Sequence, residues 1–229
     1  MYSMERGLFI VIDWTDWSGK WTQTKLLVDR LRQNGYSVEM LDFPQYGKKS
    51  AWMVEEYLNW KLWTADEVWP YRASVFYAVD RYEASNRVRK RLDEWKIVIS
   101  NRYVSSNMWH QAWKIHDLKE RDKFLEWLDD FEYWLFWIPR PDINILLYMP
   151  VEIGQKLVDK KGERWYTDKK RDIHEADLNH LRDAAEAYKY VAEKYNWIII
   201  DSAPQWKLRT IDEISDLLRW VVDKEISNR

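Results

Sequence analysis

The amino-acid sequence predicts an α/β fold in which a parallel sheet is covered by helices on both faces. Five apolar segments of strand length alternate with segments in which apolar residues recur at helical spacing. Strands separated by helices run parallel in βαβ units, and their continuous apolar character indicates burial on both faces. The chain has 229 residues, enough for one hydrophobic core. We therefore predict a single domain over residues 1–229.

The first predicted strand is the apolar run Leu8–Ile12. The helix after it, Thr22–Arg32, ends before Gly35, a residue type that favours the left-handed conformation of a helix cap. The remaining predicted strands are Ser37–Phe43, Ile97–Ser100, Asp142–Met149 and Trp197–Asp201. The remaining predicted helices are Ala51–Leu58, Arg72–Glu94, Leu118–Asp130, Glu175–Lys194 and Ile211–Val222. Residues 104–117 are interpreted as a loop that leads into a helix.

The composition is typical of a protein of the cytoplasm. A net charge of −2 provides no field that would attract nucleic acid. The chain has no cysteine, which excludes disulfides and thiolate metal sites. No apolar run reaches the length of a membrane span. We therefore expect a cytoplasmic protein without nucleic-acid or membrane partners.

The turn between the first strand and the first helix carries Ser18-Gly19-Lys20. In this context, backbone N–H groups of the turn and of the helix N-terminus bind phosphate, and the lysine reaches the outer phosphates. The full pattern has a further Gly five residues before Gly19 and Ser or Thr after the lysine. Trp14 and Trp21 stand there instead. The turn predicts nucleotide binding, but an indole hinders the close approach for which glycine is used.

Tryptophan is unusually frequent and glycine unusually rare, with 17 Trp and 6 Gly. Average usage of about 7% would give roughly 16 Gly. Many Trp stand where a turn favours glycine, for example Trp95 between a helix and a strand, Trp137 before Pro139, and Trp206 in a loop. Trp127 and Trp197 lie in ordinary apolar patterns. We hypothesise that most tryptophans at such turn positions are encoded by UGA codons, which the source genome reads as glycine. A Trp-rich or engineered protein is the alternative.

The chain resembles the thymidylate kinase family in five pieces that follow one another in the family's order. These pieces are Ile12–Gln23, Asp42–Gly47, Tyr77–Arg81, Asn101–Asn107 and the lid-like segment Arg164–Glu175. The resemblance implies a three-layer P-loop NTPase fold with a small lid at about residues 160–172. It also implies ATP-dependent phosphorylation of dTMP to dTDP with Mg²⁺, a step of dTTP biosynthesis, by a homodimer.

The resemblance also implies roles for individual residues. The catalytic residues would be Lys20, Asp16, Arg102, Arg164 and Arg171. The ATP-binding residues would be Trp14, Thr15, Asp16, Trp17, Ser18, Gly19, Lys20, Trp21 and Thr22. The dTMP-binding residues would be Asp16, Phe43, Tyr77, Arg81, Arg102, Asn107 and Gln111. Thr22 and Asp16 would hold Mg²⁺, which is bound mostly through ATP. Gln45 stands where many relatives place an arginine, and Lys48 is the candidate to replace that cation.

Physical chemistry fits these roles but leaves alternatives open. A guanidinium at Arg102 can hold a phosphate in a bidentate fork, and an ordinary ion pair is the alternative. Arg81 would bond a thymine carbonyl and Tyr77 would stack on the ring, although aromatic residues at helical spacing often serve packing. Three further functions are left open. They are a kinase for another nucleoside monophosphate or deoxynucleoside, a non-catalytic nucleotide-binding protein if the P-loop Trp are real, and a single-strand nucleic-acid binder.

Overall fold

The computed structural model describes residues 6–14, 20–59, 67–154 and 178–229, without the side chains of residues 20 and 178–184. The chain divides into two compact units. The first unit comprises residues 1–13 and 28–144, and the second comprises residues 14–27 and 145–229. The expectation of a single domain over residues 1–229 stays a prediction.

The predicted parallel sheet is confirmed. Its strands are β1 Phe9–Trp14, β2 Val38–Asp42, β3 Ile97–Asn101, β4 Ile143–Tyr148 and β5 Ile198–Asp201, in the order β2-β3-β1-β4-β5. In the first unit, Ile99 of β3 lies opposite Met40 of β2 and opposite Ile10 of β1, and both pairings are parallel. In the second unit, β4 and β5 pair in parallel. Every residue of β1 and β3 is buried, as expected of strands covered on both faces.

The predicted helices are present within the described residues. Together with one further helix, α4 Val104–Ala112, they are α1 Lys20–Gln33, α2 Trp52–Leu58, α3 Pro70–Asp93, α5 Leu118–Asp129, α6 Leu178–Lys194 and α7 Ile211–Ser227. Residues 175–177 of the predicted helix Glu175–Lys194 lie outside the described residues. No described helix has the length and apolar character that a membrane crossing requires.

Two elements differ from the sequence prediction. The helix α4 begins at Val104, directly after β3, where we expected a loop. The helix α5 continues into a π-helical turn over Asp130–Leu135. A π turn inserts one extra residue into the helical repeat, so apolar spacing alone does not reveal it. This turn matters for the site because it carries the buried residue Glu132.

Three helices end in the same backbone motif. After α1, Gly35 has φ 87°, its N–H donates to the carbonyl of Arg32, and the next N–H donates to the carbonyl of Leu31. The helices α3 and α6 end in the same way, with Trp95 at φ 59° and Asn196 at φ 53°. Glycine and asparagine adopt this left-handed conformation most readily. The predicted cap positions Gly35 and Trp95 are confirmed. Of the three residues at these caps, only tryptophan is a type that the left-handed conformation disfavours.

Candidate active site

The candidate site in the first unit lies at the carboxyl ends of β1, β2 and β3, where ligands bind in parallel α/β sheets. Asp13 is near the end of β1, Phe43 follows β2, and Arg102 follows β3. The helices α3 and α4 carry the other residues predicted to bind the acceptor. We call the set of predicted acceptor residues in this unit the acceptor cluster: Phe43, Tyr77, Arg81, Arg102, Asn107 and Gln111.

A buried ion pair joins Arg81 of α3 to Glu132 of the π-helical turn. The Nε of Arg81 donates to Oε2 at 2.6 Å, and Nη2 donates to Oε1 at 2.5 Å. The two side chains are 3% and 0% exposed. Burial alone lowers the pKa of Arg81, but the charge and the hydrogen bonds of Glu132 raise it above its usual value. The guanidinium therefore stays charged, and the bidentate fork fixes its orientation.

Asn107 of α4 is the third member of this buried network. Its Nδ2 donates to the carbonyl oxygen of Ser74 and to Oε1 of Glu132, both at 3.2 Å. Its own Oδ1 is buried and has no hydrogen-bond partner among the described residues. The same holds for Oε1 of Gln111, one helical turn later. Two buried acceptors without donors are costly, and a ligand that donates a hydrogen bond would remove this cost.

Arg102 follows β3 in a left-handed conformation, with φ 64°. Its Nη1 lies 2.8 Å from Nε2 of His110 on α4. A guanidinium only donates hydrogen bonds, so Nε2 accepts this one and the proton of the ring sits on Nδ1. The imidazole stacks on the indole of Trp109, with ring centroids 3.5 Å apart. His110, to which the sequence assigns no role, therefore orients the predicted phosphate-binding arginine.

The end of β1 is tied to α4 by a buried carboxylate. The hydroxyl of Ser106 donates to Oδ1 and Oδ2 of Asp13, at 2.9 Å and 2.8 Å. Asn101, which lies opposite Ile12 in the register of β1 and β3, is buried as well. These contacts hold the first turn of α4 beside the strand ends, which places Asn107 and His110 in the site.

The aromatic members of the acceptor cluster pack within the first unit. The ring of Tyr77 is partly buried and meets Tyr57 edge-on, with centroids 6.4 Å apart. Burial raises the pKa of Tyr77 well above its usual value, so its phenol is neutral. Phe43 is 3% exposed and meets Tyr103 edge-on at 5.5 Å. Both rings thus serve the core, and their contacts with a ligand stay predictions.

Gln45 and Lys48 are held by neighbouring side chains. The Nε2 of Gln45 donates to Oδ1 of Asp80 at 3.1 Å and to Glu83 at 3.0 Å. Its Oε1 accepts from Lys48 at 2.6 Å and from Arg87 at 2.8 Å. These bonds attach the loop after β2 to α3. Gln45 therefore acts as a connector between the loop and the helix.

Much of the predicted phosphate-donor site lies outside the described residues. This holds for Thr15, Asp16, Trp17, Ser18 and Gly19 of the P-loop and for Arg164 and Arg171 of the lid. The side chain of Lys20 is not described either. The order of strand, turn and helix is confirmed, because β1 ends at Trp14 and α1 begins at Lys20.

In the second unit, the described residues that flank the P-loop differ in exposure. Trp14 is buried, and its carbonyl oxygen accepts a hydrogen bond from the hydroxyl of Tyr188 at 2.5 Å. Trp21 is 57% exposed, and Thr22 beside it is exposed in the first turn of α1. The predicted role of Thr22 as a ligand of Mg²⁺ stays a prediction.

Sequence reasoning missed three residues that organise the acceptor cluster: Glu132, Ser106 and His110. Glu132 shares the aromatic segment Asp130–Leu135 with Asp130, which is exposed, so the sequence pattern does not identify which of the two acids is buried. The partners of Ser106 and His110 lie on other elements, and no local pattern reveals them.

Comparisons with known proteins agree with this geometry. The family model described as thymidylate kinase matches residues 12–213. A thymidylate kinase of Mycobacterium tuberculosis is 30% identical over 179 residues, covering 77% of this chain and 79% of that protein. A probable thymidylate kinase of Pyrococcus abyssi is 29% identical over 186 residues, covering 80% of this chain and 85% of that protein.

The fold agrees with a solved structure as well. The thymidylate kinase of Candida albicans superposes with a TM-score of 0.71 at 21% sequence identity, covering 98% of this chain and 94% of that chain. At this identity the likeness shows the fold alone. It is the fold that the sequence predicted, a P-loop α/β fold with a five-stranded parallel sheet.

Proposed function

Because the chain belongs to the thymidylate kinase family, we propose that it transfers the γ-phosphoryl group of ATP to the phosphate of dTMP, which yields dTDP and ADP. The chain is thus a phosphotransferase of nucleotide metabolism. The observation that carries the acceptor assignment is the buried network of Arg81, Glu132 and Asn107, with the acceptor oxygen of Gln111 one turn along α4.

The hydrogen-bonding groups of this network complement a thymine ring. Thymine offers one N–H donor at N3 between two carbonyl acceptors. The Oδ1 of Asn107 and the Oε1 of Gln111 can accept from N3–H, since both lack a donor among the described residues. Arg81 uses Nε and one N–H of Nη2 for Glu132, and one N–H of Nη1 for the carbonyl oxygen of Tyr103. A guanidinium has five N–H groups, so two are left that can donate to a thymine carbonyl. Tyr77, one turn before Arg81, would stack on the ring.

Arg102 is the proposed ligand of the acceptor phosphate. Its guanidinium can grip two phosphate oxygens, and His110 holds one edge of it at 2.8 Å. Phosphoryl transfer depends on positioning and on neutralising charge. We assign these tasks on the ATP side to Lys20 and the amides of the P-loop, with Asp16 near the sugar of the acceptor. The lid arginines Arg164 and Arg171 would stabilise charge on the transferring group.

We propose that Mg²⁺ enters the site as a complex with ATP. The exposed hydroxyl of Thr22 in the first turn of α1 fits a protein ligand to such an ion, and Asp16 is the second candidate. When bound, the ion would neutralise negative charge on the phosphate oxygens.

A homodimer in the cytoplasm is the proposed working form. The helix α3 exposes an apolar stripe of Val75, Val79 and Tyr82, at 36%, 45% and 56% exposure. Residues at this spacing share one face of a helix, which is the kind of surface that a second copy could cover. Light scattering at assay concentration tests the dimer, and a charged residue at Val79 is expected to shift it to monomer.

A coupled assay for ADP tests the proposed function. The chain, with its intact mass recorded, is given ATP, Mg²⁺ and a panel of nucleoside monophosphates and deoxynucleosides. Turnover with dTMP at a higher kcat/KM than with any other acceptor is expected. Preference for a different acceptor would support the closest alternative kinase function, and ATP binding without turnover would support a non-catalytic protein.

A further inference from the structure

Glu132 fixes the orientation of two buried side chains, those of Arg81 and Asn107. Its carboxylate only accepts hydrogen bonds, so every neighbour must present an N–H to it. The Oε1 atom receives Nη2 of Arg81 and Nδ2 of Asn107, and Oε2 receives Nε of Arg81. With its amide nitrogen held in this way, Asn107 must direct its carbonyl oxygen away from Glu132.

We propose that Glu132 is a positioning residue that sets the base selectivity of the acceptor site, by imposing an acceptor at Asn107 and donors at Arg81. This polarity suits a pyrimidine in which an N–H lies beside a carbonyl, as in thymine. It opposes cytosine, which has an acceptor at N3 beside an amino donor. The inference rests on the proposed function, because it assumes that a nucleotide base occupies this network.

The three elements that meet at Glu132 explain why it can impose this polarity. Arg81 comes from α3, Asn107 from α4, and Glu132 from the π-helical turn after α5. The carboxylate is fully buried, so water cannot replace a missing donor. A second acceptor, the carbonyl oxygen of Ser74, takes the other amide hydrogen of Asn107 and reinforces the same orientation.

Two substitutions at Glu132 separate polarity from packing. Glu132→Gln keeps the shape but adds an N–H₂ group, so position 132 no longer demands an N–H from Asn107. Only the carbonyl oxygen of Ser74 then opposes rotation of the Asn107 amide, and a rotated amide presents a donor to the ligand. We expect the ratio of kcat/KM for dTMP over dCMP to fall by about tenfold or more. Glu132→Asp keeps a group that only accepts, so the ratio should stay within about threefold of the original while KM for dTMP rises.

Asp142→Asn is the matched control. Asp142 is likewise a carboxylate with little exposure, 9% for its side chain, that pairs with an arginine, Arg6, at 2.9 Å. It also accepts a second hydrogen bond, from the backbone N–H of Phe9 at 2.7 Å. It belongs to the same unit but not to the acceptor cluster, so its loss should lower the melting temperature and leave the base ratio unchanged.

An unchanged ratio in folded Glu132→Gln protein would overturn the proposal. Should that variant fail to fold, the aspartate variant decides, because a tenfold loss of selectivity there contradicts the role of an acceptor-only group. Calorimetry of dTMP and dCMP binding to the same proteins measures base selectivity independently of the proposed kinase reaction. Selective binding of dTMP without turnover would reject the proposed kinase reaction while leaving the selectivity role of Glu132 standing.

The backbone at three exposed tryptophans carries a second, independent inference. Trp95, Trp137 and Trp206 have φ of 59°, 49° and 64°, the left-handed region that favours glycine. They are 66%, 70% and 68% exposed, so little burial offsets the strain of a Cβ atom there. Trp95 also occupies the cap position that Gly35 and Asn196 fill after two other helices.

We infer that positions 95, 137 and 206 are glycine in the protein that the source cell makes, through UGA codons that this cell reads as glycine. Not every tryptophan is of this kind. Trp127 lies in α5 and stacks on Phe131, with centroids 5.0 Å apart and planes at 7°. An ordinary UGG codon is expected there.

The gene sequence and the native protein test this inference. UGA at positions 95, 137 and 206 with UGG at position 127 is expected, and peptide sequencing of protein purified from source cells should find glycine at the first three. UGG codons at these three positions, or tryptophan in the native peptides, would overturn it.

Discussion

Replacing Ser50 with alanine is expected to destabilise the protein by about 1.5–3 kcal/mol, because it removes a donor from a buried carboxylate. Asp80 is 1% exposed. Its Oδ1 accepts from the hydroxyl of Ser50 at 2.6 Å and from Nε2 of Gln45 at 3.1 Å, and its Oδ2 accepts from the backbone N–H of Gln45 at 2.7 Å. Without the bond from Ser50, the shortest of the three, the buried negative charge of Asp80 is stabilised by fewer hydrogen-bond donors.

Urea unfolding followed by circular dichroism measures this loss as a lower midpoint with an unchanged slope. For a chain of this length, each kcal/mol corresponds to about 2–4 °C in melting temperature. Ser227→Ala is the matched control, since its hydroxyl donates to the carbonyl of Asp223 at 2.8 Å on the exposed end of α7. That change should cost about 0.5 kcal/mol or less.

Equal midpoints for the two serine variants would refute the reasoning. In that case the hydroxyl of Ser50 would contribute no more at the buried carboxylate than an exposed hydroxyl does at a helix end. The attachment of the loop after β2 to α3 would then depend on the contacts of Gln45 and Lys48 and not on Ser50.

Four further predictions concern a helix cap and the phosphate site. Thr210→Ala removes a capping box at the start of α7 and should cost about 1 kcal/mol in urea unfolding, whereas Thr210→Ser should not. The backbone N–H and then the hydroxyl of Thr210 lower the pKa of Glu213, so this part of the stability is present at neutral pH and is lost as pH falls through the lowered pKa. Thr210→Ala removes the hydroxyl but keeps the backbone N–H, so its melting temperature should fall less with pH than that of the unchanged protein. Arg102→Lys should raise KM for dTMP about tenfold or more with KM for ATP unchanged, because lysine cannot form the fork; a parallel rise in both KM values would contradict the assignment. His110→Gln, which keeps an acceptor for Arg102, should retain a lower KM for dTMP than His110→Leu, and equal values in a steady-state assay would argue against the orienting contact.

The elements of the fold were readable from the sequence because their signals are local. A continuous apolar run such as Leu8–Ile12 identifies a strand buried on both faces, and Gly35 identifies a helix end, whatever the rest of the chain does. The strand order was not readable. The pairing of Ile10 with Ile99 joins distant parts of the chain and has no local signature. The π-helical turn after α5 was missed for a related reason, since its extra residue leaves the apolar spacing ambiguous.

For the site, the sequence by itself determined the residue types and, through the family resemblance, the reaction. Arg81, Arg102 and Asn107 could be named from motifs. Only the tertiary structure decided their hydrogen-bond partners, because these partners are the donors and acceptors that the fold places within reach of each side chain. Glu132 of the π-helical turn reaches Arg81 and Asn107 only once three elements have packed, and that burial turns an ordinary carboxylate into the group that orients both.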